Sequence, residues 1–160
     1  MRNEIKMEFD AVSANEAFAR VAVAALLTPL NPTLEEVADV KTAVSEAVTN
    51  AVIHAYDEKG GKVALRCVLE DFMIHIEVED YGKGIENVSK AMEPLFTTKP
   101  ELDRSGMGFS FMEAFMDELE VTSVPGEGTL VTMEKKFANR SYGNQGLESP
   151  LCDKSFGSGK

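Results

Sequence analysis

Ile5, Met7 and Phe9 alternate with polar neighbours, a period of two that predicts a β-strand over residues 3–11. The period then changes. "SANE", Ser13 to Glu16, has capping-box spacing, and the apolar run from Phe18 to Leu27 predicts a helix that Pro29 and Pro32 interrupt. "TLEE", Thr33 to Glu36, repeats the device and predicts a second helix that ends near Tyr56, ahead of Gly60 and Gly61. Val63, Leu65, Cys67 and Leu69 alternate, as do Phe72, Ile74, Ile76 and Val78, which predicts a hairpin with Glu70 and Asp71 as its tight turn. No period holds from Tyr81 to Arg104, where Gly82, Gly84, Pro94 and Pro100 predict a long loop of the kind that closes over a ligand. Helical spacing resumes at Met107, with Phe111, Phe115 and Leu119 on one side, and strands near 119–124 and 129–137 flank the turn "PGEG". Together these elements predict an α+β fold with helices packed on one face of a mostly antiparallel, mixed sheet.

The second helix carries a feature that packing does not require. In "SEAVTNAVIHAY", residues 45–56, Glu46, Asn50 and His54 recur at intervals of four and so share one helix face over roughly 12 Å. Val44, Ala47, Val48, Ala51 and Val52 fall to the side of that row and suit a sheet. A solvated face accounts for such a row equally well when it is read alone.

Three glycine-bearing stretches bear on the choice: "DYGKG" at 80–84, "SGMGF" at 105–109 and "GEGT" at 126–129. Asp80 ends a strand at the mouth of the long loop, and Gly106 and Gly108 stand where that loop becomes a helix. A helix start offers unpaired N–H groups and a positive dipole end, and glycine lets a phosphate approach them closely. Lys99 and Arg104 in the loop supply cationic partners for such an anion, or are ordinary solvated charges. "GEGT" reads locally as a plain strand-to-strand turn.

Composition narrows the class. A chain of 160 residues with 44% hydrophobic content suits one domain, with 1–138 as its extent. The last 22 residues hold four glycines and four serines without apolar period, so 139–160 is expected to be a disordered tail, vector-derived or frame-altered in character and outside the functional argument. Sixteen Lys and Arg against 27 Asp and Glu leave a net charge of −11, which argues against direct nucleic-acid binding and against anionic membranes. Cys67 and Cys152 make neither a disulfide framework nor a metal spacing, and no run approaches the ~18 apolar residues of a span. A reducing cytoplasm is the expected location.

In this order, the polar row, "DYGKG", the long loop, "SGMGF" and "GEGT" resemble the ATP-binding Bergerat (GHKL) family of gyrase-type ATPases, heat-shock-90 chaperones, mismatch-repair ATPases and histidine kinases. The stretches "ANEAFAR", "SEAVTNAVIHAY" and "PLFTTKPELDRSGMGF" are more closely similar to the bacterial anti-sigma-F branch, serine protein kinases of sporulation. The resemblance implies a sandwich fold over residues 1–137, a Mg²⁺ ion held by Asn50, and Glu46 as general base toward a serine hydroxyl. It implies that Asp80 accepts the adenine amine with help from Thr129, and that Gly82, Gly84, Thr98, Lys99, Arg104, Ser105, Gly106, Met107 and Gly108 contact ATP or ADP. His54 fits a phosphate contact or merely the end of a solvated row. Glu16 and Arg20 fit an intrahelical pair, or the partner contact that the resemblance implies.

The implied partners are a sigma factor, an anti-anti-sigma protein substrate and a second copy of the chain, for which the first strand is the candidate joint. Two other readings use the same nucleotide site: a sigma-sequestering protein gated by nucleotide without useful kinase activity, and a stress-response anti-sigma kinase. A histidine kinase module fits less well, since His54 and His75 are the only histidines and neither lies on a separate helical hairpin.

Overall fold

The computed structural model describes residues 2–57, 59–96 and 107–140. The order along the chain is β1 (Asn3–Asp10), α1 (Ser13–Leu26), a 3₁₀ turn (Thr28–Leu30), α2 (Leu34–Asn50), a π turn (Ala51–Ala55), β2 (Lys62–Glu70) and β3 (Met73–Asp80). A short helix α3 (Val88–Ala91), then α4 (Gly108–Phe115), β4 (Glu118–Val124) and β5 (Gly128–Lys136) complete it. The strands form one five-stranded sheet in the order β1-β2-β3-β5-β4. All four pairings are antiparallel, so the mixed sheet expected from the sequence is antiparallel throughout the described residues.

Strand alternation divides the sheet into two faces. Val63, Leu65, Cys67, Leu69, Ile74, Ile76, Val78, Val131 and Met133 point to one face and are buried. The helices cover them with Ala19, Val23 and Leu26 of α1, Val40, Val44, Ala47 and Val48 of α2, and Met112 of α4. Each fully buried Val, Leu, Ile or Met side chain here contributes about 1.5–3 kcal/mol of burial free energy. The opposite face is polar, with Arg66 bridging Glu4 and Glu77 at 2.8 and 2.9 Å and both His75 ring nitrogens on carboxylates of Glu77 and Glu134.

Four local expectations change. The hairpin turn is Asp71–Phe72, one residue later than Glu70–Asp71, with φ of 48° and 63°. Two consecutive left-handed residues match the twist of the strands, and the register is set by Leu69 facing Ile74 in the core; a slip of one residue would turn both outward. "SANE" is not a capping box, because the helix starts one residue early, with Val12 as N-cap and no side-chain cap bond. Glu16 instead accepts a hydrogen bond from Ser45 of α2. Leu119 belongs to β4 rather than to α4, which ends at Phe115. The long loop contains the short helix α3, capped by Asn87 Oδ1, which accepts from Lys90 N at 2.9 Å.

The second capping box forms as expected: Thr33 Oγ1 accepts from Glu36 N, and Glu36 Oε2 accepts from Thr33 N at 2.7 Å. The Glu36 carboxylate also takes a forked pair of bonds from Arg140, at 2.7 and 3.0 Å. Arg140, counted in the tail by the sequence reading, is thus tied to α2; residues 141–160 lie outside the described residues. The Arg140 guanidinium holds the Glu36 carboxyl down at about 2. A depressed carboxyl adds stability above its unfolded value near ~4.3 that fades as pH falls toward the folded value. Arg140→Ala should therefore lower Tm at pH 7 by on the order of 2 °C, and the gap from the parent should close between about pH 5 and pH 2 in melts followed by circular dichroism.

Candidate active site

α2 delivers the polar row to one side of a cleft. At Asn50 the α-helix gives way to the π turn Ala51–Ala55, a wider turn of a kind often found at functional positions. Asn50, Ala51, His54 and Ala55 line the cleft, and Ala47, Val78 and Val131 supply apolar wall. Its volume of about 770 Å³ suits a nucleotide-sized ligand. Glu46 lies one turn before Asn50, at the edge where α4 begins. A Cβ placed on Gly108, the first residue of α4, would stand 3.2 Å from both Glu46 Oε2 and Asn50 Oδ1. Glycine at that point lets the start of α4 rest directly on the Glu46–Asn50 pair. Gly108→Ala should push both side chains from their positions by a few tenths of an ångström, a shift that a crystal structure of the variant would show directly.

The opposite end of the cleft is built around Asp80, the last residue of β3, which is only 7% exposed. Its Oδ1 accepts from Gly82 N at 3.0 Å, and the Thr129 backbone N–H, opposite in the β3–β5 register, bonds it as well. Burial pushes the carboxyl above the usual aspartate value; the two N–H donors oppose that shift and the neighbouring Glu79 charge adds to it. The loop beyond Asp80 is pinned by backbone bonds, Lys83 N to Ala55 O at 2.8 Å and Gly126 N to Lys83 O at 2.7 Å. A side chain at Gly82 would collide with the Ala55 carbonyl, its Cβ only 2.2 Å from the oxygen. Gly84 adopts a φ of 71° and passes close to Val124.

Residues 9–135 match the histidine kinase-like ATPase domain family. The anti-sigma F factor of Clostridium acetobutylicum is 57% identical over 138 residues, which span 86% of this chain and 96% of that relative. The anti-sigma F factor of Caldanaerobacter subterraneus subsp. tengcongensis is 59% identical over 133 residues, 83% of this chain and 93% of the relative. This chain belongs to the anti-sigma F factor family. Among solved structures, the RsbU and RsbW domains of Rv1364c from Mycobacterium tuberculosis share the fold with a TM-score of 0.61 at 21% identity, over 84% of this chain and 32% of that one.

In this anti-sigma F family member, the residues singled out from sequence fall into three groups. Asn50, His54, Asp80, Gly84, Gly108 and Thr129 line one cleft, with Glu46 against Gly108, Gly82 beneath the Asp80 carboxylate and Met107 just ahead of α4. Glu16 and Arg20 lie on α1, outside that lining; Arg20 Nη1 is 3.6 Å from Glu16 Oε1, and its buried Nε has no hydrogen-bond partner among the described residues. Thr98, Lys99, Arg104, Ser105 and Gly106 lie outside the described residues.

Sequence reasoning passed over Lys83 and Lys90, cations on the cleft wall. Lys83 pairs with Asp57 at 2.8 Å, and Lys90 sits 5.4 Å from the Phe96 ring centre. The place of Lys83 between the glycines of "GKG" was a usable signal. It also missed Tyr56, whose hydroxyl accepts from Tyr81 N at 2.8 Å and donates to the Lys62 carbonyl, fixing the strand exit that carries Asp80.

Proposed function

We propose that this chain is an anti-sigma factor that binds and inhibits a sporulation sigma factor and, using Mg-ATP, phosphorylates a serine of its anti-anti-sigma antagonist. The observation that carries the catalytic half is the contact of Glu46 and Asn50 with the first residue of α4, at a cleft whose far wall holds a buried carboxylate. Phosphoryl transfer needs chiefly positioning and charge stabilisation, and few side chains suffice for it.

In this mechanism Asp80 accepts the exocyclic amine of adenine, and Val78 and Val131, cross-strand neighbours on one sheet face, give the base an apolar floor. The amides at the start of α4, with His54, receive the phosphates, and Lys99 and Arg104 of the loop ahead of it are the proposed cationic partners of the same charge. Asn50 is a fitting Mg²⁺ ligand, because it offers a hard oxygen on the cleft wall and Mg²⁺ commonly takes one or two protein ligands beside substrate phosphates. Bound there, Mg²⁺ would neutralise charge on the phosphates. Glu46 takes the proton of the attacking serine hydroxyl as its oxygen bonds to the γ-phosphorus and the bond from that phosphorus to the β–γ bridging oxygen breaks, with ADP as the leaving group.

Glu16 and Arg20 are the proposed partner contacts, set on α1 beside α2 rather than in the cleft. A homodimer through β1 is supported by that strand's place at the sheet edge, with one side unpaired among the described residues. A monomer by light scattering at working concentration would remove the dimer. Cytoplasmic location completes the reading; among the described residues no helix is long and apolar enough to cross a membrane.

The test is transfer of label from γ-labelled ATP with Mg²⁺ to the candidate antagonist protein. Acid-stable label on a serine of the antagonist supports the kinase. Nucleotide binding with no labelled acceptor makes the protein a nucleotide-gated sequestering factor instead.

A further inference from the structure

Behind the base end of the cleft stands a residue with no part in the proposed transfer step. Ser123, on β4, stands outside the cleft lining, yet its hydroxyl meets three groups of the surrounding backbone and side chains. Ile85 N donates to Ser123 Oγ at 2.8 Å, Ser123 Oγ donates to the Gly128 carbonyl at 2.9 Å, and Thr129 Oγ1 lies 2.9 Å from the same oxygen. We infer that Ser123 is a positioning residue for nucleotide specificity: it fixes the Thr129 hydroxyl as an acceptor toward the base. The inference rests on the reading of Asp80 and Thr129 as the base site.

The assignment follows from counting protons. A hydroxyl has one proton and two lone pairs. The Gly128 carbonyl can only accept, so the Ser123 proton is committed to it. The Ile85 N–H can only donate, so it occupies one Ser123 lone pair. What remains for Thr129 is the second lone pair, and Thr129 must therefore give Ser123 its own proton. Thr129 is then left with lone pairs alone for the cleft that it lines.

Asp80 beside it is also an acceptor, its near donors being backbone N–H groups of Gly82 and Thr129. The wall so built matches a base carrying an amine at its 6-position. A base with a carbonyl there meets lone pairs with lone pairs, an arrangement that discriminates by leaving polar groups unpaired. Without the Ser123 hydroxyl, Thr129 is free to rotate and donate, and the rejection of a carbonyl weakens.

ATP and ITP differ at this position, an amine against a carbonyl, with the accompanying change at the adjacent ring nitrogen. Equilibrium binding of each nucleotide with Mg²⁺ to the full chain reads the preference directly. Ser123→Ala is expected to narrow the ATP-over-ITP ratio about tenfold, the scale of one hydrogen bond gained or lost in a buried site. Ser123→Thr, which keeps the hydroxyl, should retain the ratio. On a Thr129→Val background, Ser123→Ala should leave the ratio where Thr129→Val puts it, since the hydroxyl through which Ser123 acts is gone.

Should the alanine variant fail to fold, Ser123→Cys keeps nearly the same volume with a weak donor and acceptor, and its ratio should also narrow. An unchanged ratio in the variant that folds, or equal loss of both nucleotides as expected for a merely structural serine, overturns the inference while leaving the base site standing. If the parent shows no preference for ATP over ITP, the base-site reading falls and this inference with it.

Discussion

Under the proposed mechanism, Glu46→Gln is expected to lower phosphoryl transfer to the antagonist by about 10²–10⁴-fold, the usual contribution of a positioned general base. Glutamine keeps the length and shape of the side chain that packs against Gly108, with Oε2 3.2 Å from where a Cβ would stand, but it cannot take a proton at neutral pH. Glu46 lies outside the cleft lining, whereas Asn50 and Asp80 lie on it, so ATP affinity should change by less than about threefold while the rate collapses. The measurement pairs single-turnover transfer with equilibrium ATP binding. Transfer at near-parental rate would move the base elsewhere, and loss of binding together with rate would make Glu46 a structural residue.

Asp80→Asn should uncouple stability from binding in the opposite sense. The carboxyl is 7% exposed and titrates above its usual range because burial disfavours its charge. A carboxyl whose pKa is raised on folding binds protons more tightly in the folded state, so stability declines as pH rises from the unfolded value to the raised one and is level beyond it. Ionisation of Asp80 therefore costs the free protein stability, and the neutral amide should raise the ligand-free Tm or leave it unchanged. Binding runs the other way. If Asp80 holds the adenine amine as proposed, the amide oxygen can stay with the Gly82 N–H, which turns the amide NH₂ toward that amine, donor against donor. ATP affinity should fall about 100-fold, and the parent's own affinity should decline as pH drops through the raised Asp80 value. Calorimetric melts and binding at pH 7, with binding repeated at successively lower pH, separate the two effects. A variant that melts lower and still binds ATP would overturn this account of Asp80.

The two capping boxes illustrate how far local pattern reaches. "TLEE" and "SANE" have the same spacing, yet only the first caps a helix. Glu16 instead finds Ser45, 29 residues away, because α1 and α2 pack side by side. The hairpin turn slipped by one residue for a similar reason: Phe72 continues the alternation on paper, but the register that buries both Leu69 and Ile74 leaves it at the turn, 40% exposed. The site was more legible than these details. Glu46 and Asn50 share a helix face by periodicity alone, and Asp80 and Gly82 are two residues apart, close enough for the backbone N–H of one to meet the carboxylate of the other.

By itself the sequence determined the class of fold, the order of the five strands and of α1, α2 and α4, and the shared face of Glu46, Asn50 and His54. These depend on helical and strand periods, which act over a few residues. Only the tertiary structure decided that Gly108 rests on the Glu46–Asn50 pair, that Asp80 and Thr129 face each other across β3 and β5, and that Ser123 and Ile85 join them. Such contacts link groups distant in the chain. They are selected by the sheet register that buries the most apolar surface, a property of the whole packed core rather than of any one segment.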